Sequence, residues 1–293
     1  MGNRNDGPRW VVSVGGWPFS MIPSPILPAR AFLAMLTNDQ IQFFQTFGFL
    51  CLRQFFSQAE IDSFAREAES FWEQHDRRGP DESRYFHGGR FIEQRDRMRH
   101  LPADDRIYVP LKQLLGGDFI WAGSECNHGM QTGTNAHHWH ADRPGTRELS
   151  YARIKIMLYL DPMRPENGAL RVIPGSHRLP LHEDLQAFQD RHEESDPTFF
   201  GLRGEEIPCQ ILTTDPGDLL MFNHCLFHSV YAKSGRRRYI ALKFAARPTC
   251  DAHLDSLRKF QPDTFEPHDG LLTSSNPRIR RMVQGLAELG STG

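Results

Sequence analysis

The apolar positions of this chain change period part-way along it. Between Ile41 and Trp72 they recur at helical spacing, first as Ile41, Phe43, Phe44 and Phe47, then as Ile61, Phe64, Ala65, Ala68, Phe71 and Trp72. Each run opens on a capping box, Thr37-Asn38-Asp39-Gln40 and Ser57-Gln58-Ala59-Glu60, whose side chains cover the first free amides of a helix. Gly48 supplies a stop to the first, and Phe49 to Leu52 reads as a short strand between the two helices. From about 118 to 247 the pattern is one of short, β-branched and aromatic segments divided by Gly, Pro, Asn and Asp. These are Asp118 to Cys126, His138 to Asp142, Tyr151 to Leu160, Ala169 to Ile173, Ile207 to Thr213, Leu219 to Phe222 and Tyr239 to Ala245. Strands at such close intervals predict an antiparallel sandwich or jelly roll.

The remaining segments fit around that core. Leu181, Leu185 and Phe188 stand at helical spacing among acidic residues, so 178–204 reads as an inserted, partly helical excursion. Residues 1–36 carry Pro8, Pro18, Pro23, Pro25 and Pro28 among aromatics and read as an irregular arm. A loop and a terminal helix around Pro277 to Leu289 are expected in 248–293. The organisation is thus an arm followed by one domain, 37–293, with a mainly helical part at 37–117 and the β core at 118–247.

Composition narrows the function classes. With 34 basic against 36 acidic residues and a formal net charge of -2, nothing draws the chain to nucleic acid or to anionic membrane. No apolar run approaches the roughly 18 residues of a membrane span. Five widely spaced cysteines without a CxxC pair argue against a disulfide framework or a zinc ribbon, and point to reduced thiols in a cytoplasmic protein.

Candidate chemistry centres on Trp139-His140-Ala141-Asp142. In an extended segment, alternate side chains share a face, so His140 and Asp142 would offer an imidazole and a carboxylate to adjacent corners of one metal ion. An HxD triplet alone is weak evidence. It is followed, however, by Asn167-Gly168-Ala169-Leu170-Arg171-Val172-Ile173-Pro174-Gly175-Ser176-His177, by Gly217-Asp218-Leu219-Leu220-Met221-Phe222, by His228 as a candidate third ligand and by Arg237 before another strand. Two histidines, one carboxylate and open positions are what a non-haem Fe(II) oxygenase needs.

This ordered set, from about Leu36 to Ala246, resembles the phytanoyl-CoA dioxygenase family of Fe(II)/2-oxoglutarate oxygenases. The resemblance implies a double-stranded β-helix core, mainly β with flanking helices. It implies Fe(II) held by His140, Asp142 and His228, 2-oxoglutarate as cosubstrate, and O2 as oxidant. It also implies that Arg237 grips the cosubstrate's C5 carboxylate, a task suited to a planar guanidinium. His224 is a rival third ligand, and Arg236 and Arg238 compete with Arg237, which strand alternation places on the opposite face from both. Asn127 stands where some relatives place an amide that touches the cosubstrate. Relatives commonly carry a serine two residues after the distal histidine; here that position is Val230, so either Ser229 one earlier or another hydroxyl substitutes, or the cosubstrate pocket is arranged differently.

The implied reaction is hydroxylation of a small molecule with formation of succinate and CO2. His138, with the strand parity of His140, and its neighbour His137 are candidates for the substrate entrance. Arg143 and Lys155 are candidates for gripping an anionic group. The competing reading is a non-catalytic metal-binding β-barrel, a binding or sensor protein, and a metal-dependent hydrolase ranks last for want of an HExxH motif.

Overall fold

A computed structural model describes residues 35–77, 85–131, 136–190, 198–232 and 234–291, so the arm at 1–34 lies outside the described residues. Twelve strands are described: β1 (Phe49–Leu52), β2 (Phe86–Gly89), β3 (Phe119–Gln131), β4 (His137–His140), β5 (Arg153–Tyr159), β6 (Leu170–Val172), β7 (Thr198–Phe199), β8 (Leu202–Arg203), β9 (Gln210–Leu212), β10 (Leu219–Asn223), β11 (His228–Val230) and β12 (Gly235–Ala246). A large antiparallel sheet runs β1-β10-β5-β12-β3-β2 and a smaller one runs β4-β11-β6-β9.

Three apolar layers follow from strand alternation. Met157, Tyr159, Leu220, Phe222, Tyr239 and Ala241 on one face of the large sheet meet Leu170, Val172, Leu212 and Val230 of the small sheet, which makes the interior of the double-stranded β-helix. The opposite face of the large sheet, with Ile154, Ile156, Leu158, Ile240, Leu242 and Phe244, packs against the helical part. Outside the small sheet, Trp139, Phe227 and Tyr231 lie under the excursion residues Leu185 and Phe188.

Both capping boxes form. Thr37 caps α1 (Asn38–Phe47) and Ser57 caps α2 (Gln58–His75), each with the reciprocal bond from the residue three further on. Gly48 ends α1 at φ 85°, and a Cβ there would meet His177 Nδ1 at 2.6 Å, so glycine is required twice over. The excursion is partly helical as expected, with turns at Leu181–Asp184 and Gln186–Asp190 followed by the β7–β8 hairpin.

Three features differ from the sequence pattern. Strand β2 lies in the part expected to be mainly helical and pairs with β3. A helix, Asp251–Phe260, forms where a loop is expected. The terminal helix is two pieces, Pro277–Val283 and Leu286–Ser291, broken at Gly285 with φ 75°. No helix among the described residues is long and apolar enough to cross a membrane.

Candidate metal centre and cosubstrate pocket

His140 and His228 face each other directly, as register partners on β4 and β11 with ring centroids 4.3 Å apart. Strand β4 ends at His140, so Asp142 reaches them from the bend that follows rather than from the strand. That bend is pinned by Ala141 N–H donating to Gln189 Oε1 (2.8 Å) and Arg143 N–H donating to the His224 carbonyl (3.0 Å). One ligand atom from each of His140, Asp142 and His228 lies within 4.8 Å of the others.

The protonation of the three groups suits a divalent cation. His140 Nδ1 lies 2.7 Å from the His138 carbonyl and His228 Nδ1 lies 2.9 Å from the Leu226 carbonyl. A carbonyl only accepts, so each Nδ1 carries a proton and it is Nε2 of each ring that is left to face an ion. Burial, reinforced by His140, pushes His228 down to about 3, so it is neutral at physiological pH. Burial alone would raise the Asp142 carboxyl, but Lys155 above all, then His228, His224 and His140, hold it well below the usual carboxylate range. Two imidazoles and one carboxylate result, the donor set of a facial triad.

Arg237 lies in the same interior. It is buried, its Nη2 donates to Tyr159 Oη (2.9 Å) and its Nη1 to Tyr85 Oη (3.4 Å), and the guanidinium sits 4.9 Å from the Tyr239 ring centroid. No ion pair joins it to a carboxylate among the described residues, which leaves a buried cation ready for an incoming anion. Arg236 and Arg238, on the other face of β12, pair with Asp161 at 3.2 and 2.9 Å, so alternation separates the three arginines as the sequence implies. Phe222, whose ring is 5.0 Å from that of His228, clusters with Met157, Tyr159 and Tyr239, so one apolar cluster borders both the triad and Arg237.

The other candidates fall elsewhere. Asn127 is on the interior face but its amide is engaged, accepting from Gly88 N–H (3.1 Å) and donating to Glu125 Oε2 (3.3 Å). Ser229 pairs in register with Arg171 on the outer side of β11, the side of Phe227 and Tyr231, while Val230 takes the interior place beside Tyr159 and Tyr239. Its parity therefore turns the Ser229 hydroxyl away from Arg237. His138 is likewise displaced. A register shift pairs Val230 with His137, and His137 stands 6.1 Å from His140 and 6.5 Å from Tyr85, whereas the His138 ring lies against Tyr231.

Arg143 is buried over the Phe260 ring, and Lys155 Nζ lies 3.2 Å from Asp142 Oδ2; neither is free for an anionic group. His224 is fully buried with both ring nitrogens unpartnered and is not part of the triad. The three tyrosines around Arg237 escaped the sequence reading. Tyr239 shares its strand parity, which was a usable signal, whereas Tyr85 precedes a strand the pattern does not announce.

The family model described as phytanoyl-CoA dioxygenase matches residues 44–239. The chain belongs to this family. A dioxygenase of Epichloe uncinata, lolE1, is 32% identical over 133 residues, 45% of this chain and 47% of that protein, so the match spans about half of that relative's length. HygX from Streptomyces hygroscopicus, with nickel and 2-oxoglutarate bound, superposes with a TM-score of 0.58 at 21% identity, over 73% of this chain and 88% of its own. The carbocyclase SnoK from nogalamycin biosynthesis, described as non-haem and α-ketoglutarate-dependent, gives 0.56 at 18% identity over 75% and 90%. At these identities the two structures bear on the fold, which is the jelly roll the sequence implied.

Proposed function

We propose that the chain is an Fe(II)/2-oxoglutarate-dependent dioxygenase that hydroxylates a small molecule. The observation that carries this is Arg237, a buried cation with no carboxylate partner among the described residues, beside the apolar cluster that also borders a two-histidine, one-carboxylate triad. A structural metal site has no use for such an anchor. When bound, Fe(II) and 2-oxoglutarate supply the oxygen activation, with the cosubstrate leaving as succinate and CO2.

The residues of the chain bind and orient. His140, Asp142 and His228 would hold the ion. Arg237 would take the C5 carboxylate in a bidentate pair, with Tyr159 and Tyr85 fixing the guanidinium. Met157, Phe222, Val230 and Tyr239 exclude water from the space between. With Fe(II) bound, the Asp142 carboxylate would take the place a halide needs, which favours oxygen transfer over halogenation. A small-molecule substrate agrees with family membership, but its anionic character is not carried forward, because Arg143 and Lys155 are already engaged. The free state of all five cysteines supports a reducing, cytoplasmic setting.

The test is an anaerobic titration of the metal-free protein with Fe(II) and 2-oxoglutarate, followed by the visible charge-transfer band of the chelate. The band should appear, and Arg237→Ala should need far more 2-oxoglutarate to form it. Bound Fe(II) with no band at any 2-oxoglutarate concentration would sink the reading in favour of a metal-binding barrel.

A further inference from the structure

The carboxylate of Asp142 is held from two sides. Its Oδ1 lies 3.9 Å from His228 Nε2, towards the ligand atoms, while its Oδ2 lies 3.2 Å from Lys155 Nζ. Lys155 is not a surface side chain that has wandered there. Its side chain is only 12% exposed, and it projects from the interior face of β5 between Phe222 of β10 and Lys243 of β12, its register partners. Lys243 is ion-paired with Glu125, a carboxylate that also accepts from Asn127 (3.3 Å) and lies 3.6 Å from His87. Asp142 and Glu125 thus face Lys155 and Lys243 in a mostly enclosed array in which two negative charges meet two positive ones. Such an array keeps its geometry because breaking any one pair would leave a poorly solvated charge uncompensated.

From this geometry we infer that Lys155 is a positioning residue that reserves Oδ2 of Asp142, so that the carboxylate offers the metal one oxygen and not two. The inference rests on the metal-site reading and concerns how that site stays open. A carboxylate with both oxygens free can chelate a divalent ion, taking a coordination position that the triad must leave vacant. The keto acid needs two positions and oxygen another, so a chelating Asp142 would exclude part of the cosubstrate. The ammonium occupies Oδ2 with a charge-assisted hydrogen bond, and the fixed strand β5 aims it. Lys155 therefore acts through Asp142 and not on the substrate.

The experiment separates metal binding from cosubstrate binding. Lys155→Met keeps the bulk of the stem and removes the charge. The variant should bind Fe(II) or Co(II) at least as tightly as the wild type, yet lose about tenfold or more in 2-oxoglutarate affinity, with Lys155→Arg restoring much of it. Weaker metal binding with unchanged 2-oxoglutarate affinity of the loaded fraction would reduce Lys155 to a structural role and overturn the inference. So would unchanged behaviour in both. A wild-type measurement covers the case in which the variant does not fold: infrared difference spectra of protein labelled with carboxyl-13C aspartate, with and without metal. The bound carboxylate should show the wide stretch separation of one-oxygen coordination, and the narrow separation of a chelate would overturn the inference. This readout uses the metal alone, so it can fail while the 2-oxoglutarate titration succeeds, and the reverse.

Discussion

At the scale of single residues, the site is built from groups whose alternatives have been closed off. Each imidazole spends its Nδ1 proton on a carbonyl of its own chain two residues earlier, so only Nε2 can turn to a metal. Arg237 has three tyrosines around it and no acid among the described residues, so its charge suits an incoming anion. Substituting Arg237→Lys keeps the charge but loses the fork. 2-Oxoglutarate affinity should fall about tenfold or more, the equivalent of about 1.4 kcal/mol or one charge-assisted bond, while Fe(II) affinity stays unchanged in anaerobic titrations. An equal loss for both ligands would show that the substitution had disturbed the triad instead. His224 offers the opposite case. It is buried with unpartnered nitrogens, yet it stands outside the triad, so His224→Ala should retain metal binding within about threefold while His228→Ala abolishes it. Loss of metal with His224→Ala and its retention with His228→Ala would reverse the assignment.

At the scale of elements, much was legible because burial imposes a period on the sequence. The capping boxes, the core strands and the opposite facing of Arg237 and Arg236 all follow from spacing of 3.6 or 2 residues. What was not legible depends on partners. Strand β2 reads Phe-His-Gly-Gly, with no alternation to betray it, and exists because the edge of β3 accepts it. The register shift between β4 and β11 is a property of the pair, and it exchanges His138 for His137 beside the triad. Spacing alone puts His140 and Asp142 on one strand face, whereas the structure delivers Asp142 to His140 and His228 from a bend. Strand β11 allows a direct check of these arguments. Ser229→Ala should leave 2-oxoglutarate affinity within about twofold, because its hydroxyl faces the outer cluster and substitutions away from a site move affinity little. A substantial loss would mean that β11 presents its other face to the interior.

At the scale of the whole molecule, the site occupies the interior between two sheets, where burial governs which charges the fold tolerates. Against the ordinary histidine value of 6.5, His228 is pushed down to about 3 by burial and by His140, and burial likewise lowers His224. A histidine held neutral in the folded chain binds fewer protons there than in the unfolded chain once the pH is below 6.5. The stability this contributes is therefore complete above 6.5 and is lost as the pH falls towards 3. Glu125 follows the same sign in a lower window. Burial would raise it, but Lys155, Lys243 and His87 bring it from 4.5 to about 2, so its contribution is lost only below the ordinary carboxylate range. Metal-free protein should accordingly begin to lose stability near pH 6.5, well before its carboxylates protonate, with a second decline below about pH 4.5. Thermal melts of the metal-free chain from pH 8 to 4 check this, with His228→Ala expected to flatten the upper part of the curve. A stability that stays level down to pH 4.5 would mean that the histidines of the interior are solvated in the metal-free protein and are not held neutral by burial.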